Sequence, residues 1–286
     1  MIRWISHIYL SRLIYLSYSF ALVEWQLLYS NPKLRAMSFR KNRARLFVDS
    51  PLDQGTTVEI TGQQFHYLKN VLRIRSNQSV SLFNGSEGEW KTIVTEIATK
   101  KIVLFCEAKT REQSNPPDFW YLFAPLKKAR LDFAVEKVTE IGVSKIIPVI
   151  TEFTQNTRIS TNRLQAIAME ATEQCGGLKV PEVVPLCSLS EILREWPRSR
   201  ALIYCDEMAK CTREIPSAVS KAGKLAILIG PEGGFSQKDR ELIDSLDESC
   251  RFSLGKRILR AETAAVTAFS LISWHYGNSF LDQEAS

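Results

Sequence analysis

Short apolar runs alternate with stretches of helical periodicity through the second part of this chain. After the run at 120–124, apolar residues recur at helical spacing up to Gly142, which ends the pattern. The recurring residues are Leu131, Ala134, Val135, Val138 and Ile141. Further apolar runs lie at 145–150, 201–205, 224–229 and 250–254. Apolar strands separated by helices predict an α/β fold with a mostly parallel sheet and helices on both faces, and ligands of such sheets bind beyond the carboxyl ends of the strands.

The first part of the chain has a different pattern, typical of a small all-β domain. Its β-type runs lie at 45–49, 56–60, 79–85, 89–97 and 101–108. The polar segment 111–119 with Pro116 and Pro117 suits a linker. We therefore predict a β domain at 37–113, a linker at 114–119 and the α/β domain at 120–280.

Residues 1–36 are predicted to be an extension outside both domains. The apolar stretch Leu13–Val23 is too short to span a bilayer as a helix, since a span needs about 20 residues. Met37 opens a sequence with the character of a natural start. A non-essential extension or a mis-assigned start is the favoured interpretation, and a membrane anchor is the minority alternative.

Capping boxes, in which Ser or Thr is followed three residues later by an acid or amide, mark three predicted helix starts. The pairs are Thr61 with Gln64, Ser188 with Glu191, and Ser236 with Asp239. The first of these helices would bury Phe65, Leu68, Val71 and Leu72. Its positions His66, Lys69 and Arg73 fall on another stripe, and Arg75 follows. That stripe is either a phosphate-contacting face or an ordinary solvated one.

Positive charge is concentrated in the first part of the chain. Residues 1–115 hold 16 Lys and Arg against 9 Asp and Glu, whereas residues 116–286 hold 21 against 22. The run from Lys33 to Arg45 contains no acid. A cationic module joined to a neutral one predicts docking on a polyanion, with a merely solvated basic surface as the alternative.

Cysteine and histidine usage argues against a metal site. The 6 Cys include no C-x-x-C pair, and the 3 His are scattered along the chain. This pattern predicts a reducing, cytoplasmic setting and no metal.

The stretch LIGPEGGFS, residues 228–236, has the glycines of a ligand loop but not those of a nucleotide cradle. A P-loop needs G-K-[ST] and the dinucleotide fingerprint needs G-x-G-x-x-G, and the chain has neither. Glu232 would repel a phosphate, while Gly233 and Gly234 permit close approach of a flat group to the backbone. The loop therefore favours a ligand with a positive centre.

A second loop, LGKRILRAETAA at 254–265, also joins a strand to a helix. Arg260 precedes that helix, where the dipole disfavours a cation, so it needs a partner such as Glu262 or a functional role. Two such loops would form a pocket for an adenine-like ring, and an adenosyl sulfonium fits it better than ATP.

Six stretches together resemble one family. They lie at 66–74, 81–90, 124–149, 170–175, 228–236 and 254–266. In this order they resemble the ribosomal RNA small subunit methyltransferase E family, of the trefoil-knotted methyltransferase superfamily. The resemblance runs from about Arg45 to Tyr276. It implies transfer of a methyl group from S-adenosyl-L-methionine (SAM) to N3 of one uridine of 16S rRNA, a PUA-like β-barrel that binds RNA, a trefoil-knotted catalytic domain and a homodimer.

The resemblance also assigns residues. The cofactor would contact Ile229, Gly230, Pro231, Glu232, Gly233, Gly234, Leu254, Gly255, Ile258, Leu259 and Arg260, with Tyr204 to Glu207 at a third strand end. RNA would contact Arg45, His66, Lys69, Arg73, Arg75, Lys127 and Lys128. One departure stands out, because Gly177 occupies a position where the family commonly has arginine, and Lys179 stands where a second basic residue is usual.

N3 of uracil carries a proton, so methylation needs a proton acceptor and a cation beside the developing charge. Arg260 is the candidate cation, and Glu232 or Glu262 the candidate acceptor, with water as an alternative. The target uridine must be unpaired, on free rRNA or within the small subunit. Two rival hypotheses are a non-catalytic RNA-binding assembly factor and a knotted methyltransferase acting on another RNA.

Overall fold

The computed structural model of the chain describes residues 44–209 and 224–281, with side chains described up to His275. The predicted extension 1–36, the segment 37–43 and most of the basic run from Lys33 to Arg45 therefore lie outside the described residues. Much of the basic excess of the first part of the chain belongs to this segment, which holds 7 Lys and Arg against 1 acid up to Arg43.

The first domain is a five-stranded, mostly antiparallel sheet, and its all-β character agrees with the prediction from the β-type runs. Its strands are β1 Arg45–Phe47, β2 Thr57–Ile60, β3 Ser79–Phe83, β4 Glu89–Ile97 and β5 Ile102–Arg111. Their order is β1-β3-β4-β5-β2, and only the described pair β1 and β3 is parallel. Leu46, Leu68, Val80 and Leu104 are among the fully buried residues of its core.

The helix of this domain departs from its prediction. It begins as α1, Gly62–His66, and continues as a π-helical turn, Tyr67–Val71. The capping box was wrong: Thr61 makes no side-chain cap bond, and Gln64 Nε2 instead donates to the Phe47 carbonyl oxygen at 2.7 Å.

The π turn also changes which side chains face the core. The Leu72 N–H donates to the Tyr67 carbonyl at 3.0 Å, which places one extra residue in the turn. Val71 is consequently 68% exposed rather than buried. Arg73 has a φ of 52° and lies beyond the helix, so His66, Lys69 and Arg73 do not share a helical stripe as predicted.

The second domain has a parallel sheet. Its elements are β6 Phe119–Phe123, α2 Lys128–Ile141, β7 Lys145–Ile150, α3 Thr161–Cys175, β8 Glu182–Val183, β9 Cys187–Ser188, α4 Leu189–Arg194, β10 Ala201–Cys205, β11 Leu225–Ile229, α5 Gln237–Asp244, β12 Ser249–Phe252 and α6 Ala261–Leu281. The strand order is β12-β10-β11-β6-β7-β8, with β9 also beside β7, and every described pair is parallel.

Helices cover both faces of this sheet, as predicted. Tyr121 and Phe123 pack with α2, α3 and α6 on one face, whereas Leu122 packs with α4 and α5 on the other. Gly142 ends α2 with a φ of 107°. The two remaining capping boxes, at Ser188 and Ser236, are both formed. The trefoil knot that the resemblance implies stays a prediction.

Two arginines of the β domain bind the end of α3. Arg45 Nη1 donates to the Thr172 carbonyl at 2.8 Å, and its Nη2 donates to the Gly177 carbonyl. Arg111 Nη1 donates to the Gly176 carbonyl at 2.8 Å. These guanidinium groups satisfy carbonyls at the negative end of the helix dipole and so fix the two domains against each other.

Glu89 forms ion pairs with both arginines. Its Oε2 lies 2.9 Å from Arg45 Nε and 3.2 Å from Arg111 Nη1. Burial acts to raise the pKa of Glu89, but the hydrogen bond and charge of Arg45 outweigh it and hold that pKa below its usual range. These contacts favour an interdomain role for Arg45 over the predicted RNA contact, because its side chain is 14% exposed and engaged between the domains.

Candidate functional site

Three neighbouring strands end at one edge of the parallel sheet. In the order β12-β10-β11 their carboxyl ends bring together the loops that follow them. The loop residues 205–207, 229–235 and 253–260, with Ala261 and Ala264 of α6, line a cavity of about 390 Å³. We call it the strand-end cavity. The residues assigned above to the cofactor in the loops after β11 and β12 all line it, namely Ile229, Gly230, Pro231, Glu232, Gly233, Gly234, Leu254, Gly255, Ile258, Leu259 and Arg260.

The glycine loop has left-handed backbone, which favours glycine, at one position. Gly234 has a φ of 69°, and its N–H donates to the Pro231 carbonyl at 2.9 Å to close a turn. A Cβ on Gly234 would collide with Glu207 Oε1, and one on Gly230 would lie 3.1 Å from the Phe235 ring. The loop then enters α5 through the Ser236 capping box. The loop is therefore held rigidly from both ends, with bare backbone toward the cavity.

Asp206 anchors the third loop. Its carboxylate is fully buried, accepts hydrogen bonds from Arg240 Nε at 2.8 Å and Nη2 at 3.0 Å, and lies 3.7 Å from Arg251. Burial acts to raise the pKa of Asp206, but the hydrogen bonds and charge of Arg240 outweigh it and keep that pKa below its usual range. The pair fixes α5 to the end of β10.

This anchor predicts an acid-sensitive contribution to stability. A carboxyl group whose pKa is lower in the folded state stabilises the fold above its unfolded pKa of about 3.9, and the contribution is lost as pH falls through the folded pKa. The wild type is expected to be more stable than Asp206→Asn near neutral pH, and the difference should shrink below about pH 4. Urea unfolding at a series of pH values measures this, and a difference that is independent of pH would contradict it.

Tyr204 is the exception at the third strand end. Cys205, Asp206 and Glu207 line the strand-end cavity, but Tyr204 lies on the opposite face of the sheet. Its ring packs on Phe235 with centroids 5.7 Å apart, and its hydroxyl donates to Asp244 Oδ1 at 2.5 Å. Tyr204 therefore supports the wall of the cavity without reaching it.

The cation and the two carboxylates predicted for catalysis lie in different environments. Arg260 is exposed at the cavity and has no ion-pair partner within residues 44–209 and 224–281. The Glu262 side chain is only 13% exposed, and its Oε1 lies 3.7 Å from Arg130 Nε. Glu232 is 44% exposed, and its Oε1 lies 3.4 Å from Arg130 Nη1. The alternative in which Arg260 pairs with Glu262 is not realised, because Glu262 faces Arg130.

Sequence reasoning missed Arg130. A signal was present, since Lys127, Lys128 and Arg130 cluster at the start of α2 and no acid occupies its first turn. Cations there oppose the helix dipole, which indicates partners outside the helix.

Comparison with known proteins follows the same division of the chain. Residues 113–273 match the family described as RNA methyltransferase domain, and residues 60–105 match the RNA methyltransferase PUA domain. The ribosomal RNA small subunit methyltransferase E of Rickettsia conorii is 30% identical over 232 residues, which cover 80% of this chain and 94% of that protein. The chain belongs to the ribosomal RNA small subunit methyltransferase E family.

Solved structures agree in fold. A methyltransferase of Legionella pneumophila, solved with bound SAM, is 28% identical and superposes with a TM-score of 0.73. The match covers 81% of this chain and 97% of the Legionella chain. A ribosomal RNA small subunit methyltransferase E of Neisseria gonorrhoeae, solved with bound S-adenosyl methionine, is 26% identical and has a TM-score of 0.71. The match covers 80% of this chain and 96% of the Neisseria chain.

The seven residues assigned to RNA differ in how accessible their side chains are in this member of the methyltransferase E family. His66, Arg73, Arg75, Lys127 and Lys128 are exposed. Lys69 is partly withdrawn, because its Nζ donates to the Ala98 carbonyl at 3.2 Å and lies over the Phe65 ring. Arg45, as shown above, is bound between the domains. Five of the seven assigned side chains therefore remain accessible to a polyanion.

The family departure at Gly177 has a structural counterpart. The Gly177 carbonyl accepts from Arg45, and a Cβ at this position would lie 3.1 Å from Thr172 Cγ2. In this member of the methyltransferase E family, position 177 belongs to the contact between the domains.

Within the described residues, no group of three or more His, Cys, Asp and Glu side chains is arranged to bind a metal ion. In the same part of the chain, no helix has the length and apolar character needed to cross a membrane.

Proposed function

We propose that this protein transfers a methyl group from SAM to N3 of one uridine of 16S rRNA. The observation that carries the proposal is the strand-end cavity, which combines three backbone-rich loops with the exposed cation Arg260. Membership of the methyltransferase E family and two relatives solved with SAM support it.

The lining of the cavity suits this cofactor. A volume of about 390 Å³ lies within the range of small-molecule sites. Gly233 and Gly234 present bare backbone to a flat ring, and Glu232 adds a carboxylate that favours a cationic ligand over a phosphate. SAM, when bound, supplies a methyl group on a positively charged sulfur.

Two side chains at the cavity, Arg260 and Glu232, are assigned to charge stabilisation and proton acceptance. Loss of the N3 proton spreads negative charge onto the uracil oxygens, and we assign its stabilisation to Arg260 among the three cations Lys256, Arg257 and Arg260 that line the cavity. We assign the proton to Glu232, because its carboxylate is 44% exposed at the cavity, whereas that of Glu262 is only 13% exposed.

The substrate must reach the cavity as an unpaired base, because N3 is engaged in base pairs. The exposed cations Arg73, Arg75, Lys127 and Lys128 are positioned to contact rRNA phosphates, within the small subunit. We further propose that the enzyme is a homodimer, which is consistent with the exposed apolar residues Ile258 at 88% and Trp274 at 77%.

Replacing Gly234 with Ala should disrupt cofactor binding. The new methyl group would meet the Glu207 carboxylate, which pairs with Arg240, while the backbone holds a left-handed φ, so this carboxylate or the loop must move. We expect the dissociation constant for SAM to rise by at least about tenfold, equivalent to 1.4 kcal/mol, as measured by calorimetry. Gly62→Ala is the matched control, since φ is 59° there and no atom lies within 4 Å of the added Cβ. Equal affinities for the two variants would contradict the proposed cofactor site.

Primer extension tests the function itself. Methyl at N3 blocks base pairing, so reverse transcriptase stops one nucleotide before the modified uridine. Small-subunit rRNA from cells that lack this protein is expected to lose the stop, and re-expression should restore it. Persistence of the stop would refute the rRNA assignment. Failure of the purified protein to bind SAM would favour the non-catalytic assembly factor instead.

A further inference from the structure

Arg130 lies between the carboxylates of two separate elements, a loop and a helix. It is the third residue of α2, and its Nη1 is 3.4 Å from Glu232 Oε1 in the loop after β11. Its Nε is 3.7 Å from Glu262 Oε1 in the first turn of α6. One guanidinium group therefore connects α2 to both sides of the strand-end cavity.

Helix stability does not account for a cation at this place. Lys127 is the N-cap of α2 and makes no side-chain cap bond, and Lys128 and Arg130 follow without an acid in the first turn. Positive charges near the positive end of the dipole destabilise a helix. Arg130 is instead stabilised by the two carboxylates that other elements bring to it.

Glu262 needs this cation more than Glu232 does. The Glu262 side chain is 13% exposed, and its buried Oε2 has no hydrogen-bond partner among the described residues. A carboxylate in such surroundings is costly unless a positive charge compensates it. Arg260, only two residues earlier in the chain, has no ion-pair partner in the described part of the protein.

We propose that Arg130 is a positioning residue for methyl transfer: it neutralises Glu262 and thereby leaves Arg260 available to the substrate. The inference rests on the proposed function, in which Arg260 stabilises the uracil anion. Without Arg130, the uncompensated carboxylate of Glu262 attracts Arg260 and withdraws it from the cavity. The contact of Arg130 with Glu232 at 3.4 Å contributes less, because both of those groups are considerably exposed and solvent screens their charges.

A pair of variants isolates this effect. Arg130→Ala is expected to lower kcat for rRNA methylation by about tenfold to a hundredfold, with SAM affinity nearly unchanged. Arg130→Lys, which keeps the charge, should lose less. Arg130→Ala combined with Glu262→Gln should recover kcat by about tenfold over Arg130→Ala, because the neutral amide no longer competes for Arg260.

Arg163→Ala provides the matched control. Arg163 pairs with Asp132, which belongs to the same helix α2 as Arg130, and the side chains of Arg163 and Arg130 are 36% and 35% exposed. Like Glu262, Asp132 has a buried oxygen with no hydrogen-bond partner among the described residues. Neither residue of this control pair lines the strand-end cavity. We expect Arg163→Ala to leave kcat at the wild-type value, which separates a role at the cavity from general damage to α2.

The outcomes distinguish a failure of the proposed role of Arg130 from a failure of the proposed function. A double variant as slow as Arg130→Ala, or an equal loss in Arg163→Ala, would overturn the role of Arg130. A wild-type protein that methylates no rRNA would refute the proposed function itself. Circular dichroism checks the fold of each variant, and if Arg130→Ala does not fold, the same comparison with Arg130→Gln decides the question.

Discussion

Replacing Arg260 with Ala is expected to lower kcat for rRNA methylation by about a hundredfold to a thousandfold, the loss that follows removal of one oxyanion-stabilising group in other enzymes. The side chain is exposed at the strand-end cavity and has no ion-pair partner among the described residues, so its removal should not unfold the protein. SAM affinity should change little, because the backbone of three loops forms most of the cavity wall.

Steady-state kinetics with small subunits, together with calorimetry for SAM, measures both quantities for Arg260→Ala. Arg198→Ala is the control, because Arg198 is also exposed but precedes β10 and so lies at the opposite edge of the sheet. Loss of the folded state in Arg260→Ala would indicate a structural role and refute the catalytic assignment. An unchanged kcat would do so as well.

Among the substitutions proposed for this protein, Arg45→Ala should produce the largest loss of stability. Arg45 pairs with Glu89, donates to carbonyls at the end of α3 and lies 3.8 Å above the Phe83 ring. Removing one partner of a buried, hydrogen-bonded pair costs about 3–5 kcal/mol, because the remaining charge and carbonyls lose their compensation. We expect the free energy of unfolding in urea to fall by about this amount.

Lys91→Ala serves as the control for Arg45→Ala. Lys91 and Glu107 form an ion pair in the same domain, but the two side chains are 42% and 46% exposed, so the loss should stay below about 1 kcal/mol. If Arg45 contacted RNA instead, Arg45→Ala would weaken rRNA binding without changing the free energy of unfolding. That result would contradict the interdomain role.

The sheets were predictable because hydrophobic periodicity is a local signal. The predicted runs at 89–97, 145–150 and 201–205 coincide with β4, β7 and β10. The glycine loop could also be placed, since a loop that follows an apolar strand in a parallel sheet lies at its carboxyl edge. These features depend on neighbouring residues and on sheet topology alone.

The errors arise where distant partners decide the outcome. Arg45 ends a basic stretch of the sequence, which is typical of an RNA contact. Its partners Glu89 and Thr172, however, lie 44 and 127 positions away in the chain. Val71 fits a regular helix, and only the π turn that precedes it moves it to the surface. Arg130 was overlooked because its carboxylate partners come from two other elements.

Nucleoside analysis of a reconstituted reaction tests the central claim most directly. Small subunits from cells that lack this protein would be incubated with the purified protein and isotopically labelled SAM, and the 16S rRNA then digested for mass spectrometry. The proposed function predicts labelled 3-methyluridine at one position. Label on a ribose or on another base, or no label in the rRNA, would contradict it.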